Sequence, residues 1–161
     1  MPLSTGSPVP AIPLHRMGQN GPEEVRLDQL SAGKKLVVFA VPGAFTPTCH
    51  RNHMPGYVEH VDAIRAKGVD AVACLATNDV FVLDHWAETT GARGRIEMLA
   101  DGNADYVRAI GLELDASGLG LGTRAQRFAM LAEDGVVKEL VLEPNPGEVG
   151  SASATSMLER L

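Results

Sequence analysis

The sequence predicts an α/β fold with a central mixed β-sheet flanked by helices. Two apolar runs of strand length, residues 36–41 and 69–76, are each followed by a segment whose apolar residues recur at helical spacing. Two further strand-like runs, separated by a turn at residues 133–135, are typical of an antiparallel hairpin. Strands that first alternate with helices and then form a hairpin predict a sheet with both parallel and antiparallel neighbours.

The chain up to about Asn20 is rich in proline and glycine, which predicts extended backbone and turns. Residues 25–30 then predict a short strand. The first buried strand is expected at residues 36–41, because a continuous apolar run with β-branched residues suits a strand covered on both faces. Pro42 and Gly43 end it.

A helix is predicted after residue 49 from the spacing of apolar residues between Met54 and Ile64, and Gly68 should close it. Pro55 lies inside this pattern and predicts a kink or a break about two turns into the helix. A second buried strand should follow at residues 69–76, and then a helix capped by Asp79.

The rest of the chain predicts shorter elements, and no repeat or linker divides it, so residues 1–161 are expected to form a single domain. The expected elements are a strand at 96–100, a short helix at 105–110, a glycine-rich loop at 112–123, hairpin strands at 127–132 and 136–142, and a closing helix at 153–161.

Charge and composition exclude several classes of function. The chain carries 14 basic and 20 acidic residues, a net charge of -6. It therefore lacks the excess of basic residues that nucleic-acid binding needs. No apolar run approaches the roughly 18 residues of a membrane span, and no signal-peptide pattern is present. Two cysteines are too few for a disulfide framework, so a reducing, cytoplasmic location is expected.

The most informative stretch is PGAFTPTC at residues 42–49. A cysteine placed where a strand gives way to a helix meets free backbone N–H groups and the positive end of the helix dipole, and both favour thiolate. Thr46 can present its hydroxyl to the sulfur or to an oxygen beside it, and Pro42 and Pro47 restrict the loop. The placement alone leaves open that Cys49 is only a small buried hydrophobe.

Pro42, Thr46 and Cys49 match the P-x-x-x-T-x-x-C signature of the peroxiredoxins, and longer stretches resemble the five-type (plant type II) members. These stretches are VPGAFTPTC at 41–49, HMPGYVEH at 53–60, GVDAVACLATND at 68–79, RFAML at 127–131 and LEP at 142–144. The resemblance extends from about Val37 to the C-terminus. It implies a thioredoxin-like fold with an N-terminal strand extension, and a peroxidase without a cofactor.

The resemblance also assigns roles to residues. Cys49 corresponds to the peroxidatic cysteine, Thr46 to the hydroxyl that binds the peroxide, and Arg127, rather than Arg124, to the active-site arginine. Pro42 and Thr48 complete the implied substrate-binding set. The implied reaction is reduction of hydrogen peroxide and organic hydroperoxides through a sulfenic acid on Cys49. An arginine suits this role, since a guanidinium favours thiolate and offers fixed donors to the peroxide.

The second cysteine, Cys74, lies in an apolar strand, which favours a buried core thiol. The position that corresponds to the resolving cysteine of animal members is Ser151. The resemblance therefore implies a one-cysteine enzyme whose sulfenic acid is reduced by glutathione with glutaredoxin, or by thioredoxin. The alternative hypothesis is a thioredoxin-like peroxide sensor or binding protein without efficient turnover.

Histidines near Cys49 raise the question of a metal site. Cys49, His50, His53 and His60 match a zinc pattern poorly, because Pro55 interrupts the helix and no second cysteine is nearby. We therefore expect no metal. His53 is expected to order the active-site helix through a hydrogen bond, with His50 on a different face and His60 solvated.

Leucines of the glycine-rich loop suggest an interface. Leu119 and Leu121, with Phe45, Phe81 and Val82, either form an apolar patch near the active site or fill the core of their own subunit. In similar proteins such loops meet across a two-fold axis, so the resemblance implies a homodimer.

Overall fold

The computed structural model describes residues 3–161, and the strands there form two sheets. The strands are β1 (Leu14–Gly18), β2 (Gly21–Val25), β3 (Lys35–Ala40), β4 (Ala71–Ala76), β5 (Glu97–Ala100), β6 (Glu113–Asp115), β7 (Thr123–Ala125), β8 (Phe128–Glu133) and β9 (Val136–Leu142). The α-helices are α1 (Leu27–Leu30), α2 (Met54–Ala66), α3 (Val80–Thr90), α4 (Asp105–Ala109) and α5 (Ala154–Glu159).

The larger sheet has seven strands in the order β2-β1-β5-β4-β3-β8-β9. Strand β4 lies at its centre, parallel to β5 on one side and to β3 on the other, while β3 is antiparallel to β8. The β1–β2 hairpin adds an antiparallel edge beside β5. The expected mixed sheet with an N-terminal strand extension is confirmed.

The core lies on both faces of this sheet, because alternate residues of each central strand point to opposite sides. On one face Val37, Phe39 and Cys74 pack with α2, α3 and α5. On the other face Val38 and Leu75 pack with α1 and α4. Burial on both sides explains why β3 and β4 are uninterrupted apolar runs.

The N-terminal expectation is wrong in detail. Residues 25–30 do not form a strand, since Val25 ends β2 and Leu27–Leu30 is a helical turn. Residues 14–25, expected to be extended chain, turns and the start of that strand, instead form a hairpin in which Gly18 pairs with Gly21 across a two-residue turn. The helical turn is held by the Ser31 hydroxyl, which donates to the carbonyl of Leu27 at 2.8 Å.

Pro55 does not break the helix that follows Cys49. A π-helical turn spans Cys49–His53, and α2 continues from it without interruption as far as Ala66. Pro55 is the second residue of α2. The wider π-helical turn before it accommodates the missing N–H.

The expected loop at residues 112–123 contains regular structure. It includes β6 and runs into β7, which pair antiparallel around a 3-10 turn at Ser117–Leu119. Three-residue strands are too short to show a repeating pattern of apolar residues.

The hairpin β8–β9 and the closing helix are confirmed. Asp134 and Gly135 both have positive φ, 47° and 75°, which is typical of a two-residue type I′ turn. Ser153 caps α5 by accepting a hydrogen bond from the backbone N–H of Ser156. Among residues 3–161, no helix has the length and apolarity needed to cross a bilayer.

Candidate active site

Cys49 lies at the end of the loop that leaves β3, in the first position of the π-helical turn, and it is fully buried. Its backbone N–H donates to no acceptor in the part of the chain that the structure describes, as expected for the first turn of a helix. The sulfur therefore lies where unpaired backbone donors and the helix dipole favour negative charge.

Arg127 reaches this sulfur from the residue that precedes β8. Its Nη2 donates to Cys49 Sγ at 3.1 Å, and the whole residue is 2% exposed. No carboxylate within residues 3–161 forms an ion pair with it. Arg127 is therefore a buried cation whose charge no carboxylate of that range compensates, and it lies directly beside the sulfur.

The remaining donors of Arg127 fix its orientation. Nη1 donates to His53 Nδ1 at 2.7 Å, and both Nε and Nη2 donate to the carbonyl of Pro146, at 3.2 and 3.1 Å. These fixed contacts leave one edge of the guanidinium directed at the sulfur. A lysine has no comparable fork of donors.

His53 is held as a neutral imidazole between Arg127 and the chain that joins β9 to α5. We call residues 144–153 of this connection the C-terminal segment. Since Nδ1 accepts from Arg127, Nε2 carries the proton and donates to the carbonyl of Ala152 at 2.9 Å. Burial, and then the charge of Arg127, lower the pKa of His53 from 6.5 to about 3. The expected hydrogen bond of His53 exists, but it orders Arg127 and the C-terminal segment rather than the helix alone.

Glu143 holds the C-terminal segment against this site. Its buried carboxylate accepts hydrogen bonds from the backbone N–H groups of Gly150 and Ala152, both at 2.6 Å. The carbonyl of Ala152 accepts from Tyr57 at 2.8 Å as well as from His53. Glu143 therefore fixes the backbone that fixes His53. Apart from its place in the LEP stretch, no sequence pattern marks Glu143 as a residue of the site.

The loop before Cys49 is ordered by several short hydrogen bonds. The Thr46 hydroxyl donates to the carbonyl of Gly43 at 2.7 Å, which leaves its oxygen lone pairs available as acceptors. Asn78 accepts from the backbone N–H of Ala44 at 2.8 Å, so the end of β4 supports the loop. The Thr48 hydroxyl donates to the carbonyl of Gly147 at 2.9 Å and thus binds the C-terminal segment.

Arg124 also contacts this loop. Its Nη1 donates to the carbonyl of Pro42 at 3.3 Å, and its Nε donates to the carbonyl of Leu121 at 2.9 Å. A side chain on Gly43 would come within 2.8 Å of this guanidinium. Arg124 therefore ties the loop before Cys49 to the residues before β7, whereas Arg127 alone bonds the sulfur.

A second group of rings lies beside Cys49. The Nε1–H of Trp86 donates to His50 Nδ1 at 2.9 Å, and the His50 ring stacks on Phe45 with centroids 5.5 Å apart. Phe45 has a positive φ of 64°, which is strained for a non-glycine residue. The ring contacts with His50 and Trp86 hold the loop in this conformation.

Cys74 lies in β4 as expected and is fully buried. Burial, and then the nearby Cys49, raise the pKa of the Cys74 thiol well above its usual value. Both cysteines are free thiols. A thiol that resists deprotonation is a poor nucleophile, so Cys74 is a core residue beside the site.

The histidines near Cys49 have separate partners. His50 bonds Trp86, His53 bonds Arg127, and His60, which was expected to be solvated, is half-buried and bonds the carbonyl of Gly56 at 2.8 Å. Within residues 3–161, no group of three or more His, Cys, Asp or Glu side chains is arranged to hold a metal ion.

The apolar residues considered for an interface do not fill the core. Phe81 is 64% exposed and Leu119 is 81% exposed, and Phe45 and Val82 are also exposed. Leu121, the fifth residue of that set, is half-buried. We call the four exposed residues the apolar patch. Phe45 belongs to the loop before Cys49, and Leu121, two residues after Leu119, is tied to that loop through Arg124.

The chain is similar to proteins of one family along nearly its whole length. The family model described as Redoxin matches residues 4–158. Peroxiredoxin-2E-2, chloroplastic, of Oryza sativa subsp. japonica is 49% identical over 140 residues, which cover 85% of this chain and 62% of that protein. The chain spans about three fifths of the length of the chloroplastic relatives that it matches.

Other relatives match over their full length. Peroxiredoxin-2B of Arabidopsis thaliana is 38% identical over 161 residues, which cover 99% of each chain. The crystal structure of reduced Prx3 from Vibrio vulnificus in complex with H2O2 superposes with a TM-score of 0.93 at 42% identity and covers 98% of each chain.

Proposed function

Because the chain belongs to the redoxin family and, within it, to the peroxiredoxins of the plant type II kind, we propose that it is a thiol-dependent peroxidase. Its substrates are hydrogen peroxide and organic hydroperoxides, and Cys49 is the residue that they oxidise. The observation that carries this proposal is the 3.1 Å contact between Cys49 and Arg127, a buried guanidinium that has no carboxylate partner among residues 3–161.

The reaction follows from the donors around the sulfur. The Cys49 thiolate attacks one peroxide oxygen, the O–O bond breaks, and the sulfur loses two electrons to become a sulfenic acid. The second oxygen leaves with the bonding electrons and takes up a proton as water or an alcohol. Arg127 Nη2 and the Cys49 backbone N–H stabilise the charge that moves onto this oxygen.

Thr46 positions the peroxide in this scheme. Its hydroxyl hydrogen is used on the carbonyl of Gly43, so its oxygen accepts the O–H of the incoming peroxide. Pro42 and Thr48 border the same loop, and Thr48 binds it to the C-terminal segment at Gly147. The peroxide then lies between the Thr46 acceptor and the Arg127 donors, close to the sulfur.

The reductant comes from outside the chain. Ser151 cannot form a disulfide, and Cys74 is buried with a raised pKa, so neither resolves the sulfenic acid. We assign recycling to glutathione with glutaredoxin, or to thioredoxin. Dependence on an external thiol pool supports a reducing, cytoplasmic location.

The apolar patch supports a homodimer. Its four side chains are large, apolar and exposed, and one of them, Phe45, belongs to the loop before Cys49, as is typical of residues that a protein interface covers. A second copy that covers Phe81 and Leu119 would also shield the loop that carries Thr46 and Cys49.

The proposed activity is tested by rapid mixing of the reduced protein with peroxide. Trp86 bonds His50, the neighbour of Cys49, so its fluorescence should report the oxidation. With equimolar peroxide and no reductant we expect a single oxidation of Cys49, and with glutathione and glutaredoxin or with thioredoxin we expect continued turnover. Stoichiometric oxidation without turnover would favour the sensor, and no consumption would refute the peroxidase.

A further inference from the structure

A second concave site lies away from Cys49, between α3, the strands β1 and β5, and the C-terminal end of α2. The cavity has a volume of about 270 Å³, close to the lower end of the range for small-molecule sites. Its lining includes four arginines: Arg16, Arg65, Arg93 and Arg95. None of Cys49, Thr46 and Arg127 lines it, so this arginine cavity is separate from the peroxidase site.

The arginine cavity gathers several of the chain's cations in one place. The chain has ten arginines and a net charge of -6, and four of those arginines line this one cavity. Carboxylates in and beside the lining pair with three of the four, and Arg65 is the one without an ion pair within residues 3–161. An unpaired guanidinium in a concave site attracts anions even when the protein as a whole repels them.

Two of the arginines are held in place by ion pairs. Arg16 contacts Glu23 at 3.0 Å and Glu97 at 3.5 Å, and Arg93 contacts Asp84 at 3.0 Å and Glu88 at 3.5 Å. Such pairs contribute little to stability at the surface, but they restrict where each guanidinium can lie.

The other two arginines have donors to spare. Arg95 contacts Asp62 at 3.5 Å, a carboxylate that is 88% exposed and therefore well solvated. Arg65 forms no ion pair and no side-chain hydrogen bond with any residue of the described range 3–161. Its guanidinium is free to bind a ligand.

The floor of the arginine cavity is apolar. The apolar lining comes from Met17 in β1, from Met98 in β5 and from Ile96 directly before β5. Helix α3 adds Val80 and Ala87. An apolar floor with guanidinium groups at the rim fits a ligand that has both an apolar body and several acidic groups.

We propose that the arginine cavity binds a small polyanion, a molecule with two or more carboxylate or phosphate groups, through Arg65 and Arg95. The guanidinium fork binds either group through paired, charge-assisted hydrogen bonds. The ion-paired Arg16 and Arg93 border the site, and the apolar floor accepts the rest of the ligand.

Calorimetric titration of the full chain tests this site with two probes, inorganic pyrophosphate and propane-1,2,3-tricarboxylate. The variants are Arg65→Ala and a matched control, Lys67→Ala, which removes the same charge from an exposed residue at the same end of α2. We expect at least one probe to bind the wild type. Its affinity should fall about tenfold in Arg65→Ala, because charge-assisted hydrogen bonds are the strong ones, and remain unchanged in Lys67→Ala.

The comparison of probes identifies the acidic group: binding of pyrophosphate alone indicates phosphate, and binding of the tricarboxylate alone indicates carboxylate. Failure of both probes to bind the wild type in the millimolar range would overturn the proposal. Equal weakening in the two variants would also overturn it, since the effect would then be one of net charge. The peroxide assay is independent of either result.

Discussion

Arg127 and Cys49 are separated by 78 positions in the sequence, yet Nη2 of the arginine lies 3.1 Å from the sulfur. The same guanidinium bonds His53 and the carbonyl of Pro146. One buried cation thus joins the start of the active-site helix, the strand β8 and the C-terminal segment. The orientation of this cation is what makes the sulfur reactive in the proposed mechanism.

Replacement of Arg127 by alanine should slow the reaction of Cys49 with peroxide by about 100-fold or more, the usual cost of losing a donor to developing negative charge. Stopped-flow fluorescence of Trp86 gives the second-order rate constant. Arg51→Ala is the control, because Arg51 is an exposed arginine in the π-helical turn that contains Cys49. Equal rate constants for the wild type and Arg127→Ala would show that the guanidinium has no part in the reaction.

The two cysteines should respond differently to substitution. Cys49→Ser should abolish peroxidase turnover, whereas Cys74→Ser should retain most of it, because Cys74 is a buried thiol with a raised pKa. Steady-state peroxide consumption with each reductant measures the difference, and circular dichroism checks that both variants fold. A folded Cys74→Ser protein as inactive as Cys49→Ser would contradict the one-cysteine assignment.

His53 should make the protein less stable in acid. Its pKa is lowered from 6.5 to about 3, so between these values the unfolded chain takes up a proton that the folded protein does not. The unfolded state then binds more protons, and the free energy of unfolding falls as the pH falls, by up to about 1.4 kcal/mol per pH unit from this group.

Urea denaturation across that pH window measures the effect. His53→Gln keeps one acceptor and one donor but cannot become an imidazolium, so its stability should depend less on pH than that of the wild type. His85→Gln, at an exposed histidine, controls for the loss of an imidazole. The same pH dependence in His53→Gln and the wild type would show that His53 does not carry the effect.

The apolar patch should mediate dimer formation. Phe81→Asp places a charge at its most exposed aromatic residue and should yield monomers in sedimentation velocity experiments. Leu142→Asp, which adds the same charge at an exposed apolar residue outside the patch, should leave the dimer intact. A wild-type protein that stays monomeric at high concentration would contradict the proposal.

The central elements of the fold were predictable because strands that are buried on both faces consist of continuous apolar residues. Strands β3 and β4 are covered on both faces, so they are continuous apolar runs, and Asp79 caps α3 by accepting from two backbone N–H groups at 2.9 Å. The β1–β2 hairpin has only two buried residues, Leu14 and Val25, and it contains a proline, so the apolar pattern there was too weak to reveal strands.

The site was predictable only in part, for a related reason. Cys49 and Thr46 lie in one short motif, and the resemblance located Arg127. The contacts that orient Arg127 join residues far apart in the sequence, such as His53 and Ala152. Ala152 takes part through its backbone carbonyl, which every residue type has, so the identity of the residue does not reveal the contact. The π-helical turn that replaces the expected kink at Pro55 likewise depends on backbone geometry, which residue spacing does not encode.

The most direct test is mass spectrometry of the Cys49 peptide after excess peroxide, with and without glutathione. Without glutathione nothing in the chain traps the sulfenic acid, so a second peroxide should convert it to sulfinic acid and add two oxygens at Cys49. With glutathione present beforehand, the same residue should carry a mixed disulfide. A dominant Cys49–Cys74 disulfide, or an unmodified Cys49, would contradict the assignment of Cys49 as a peroxidatic cysteine that depends on an external thiol.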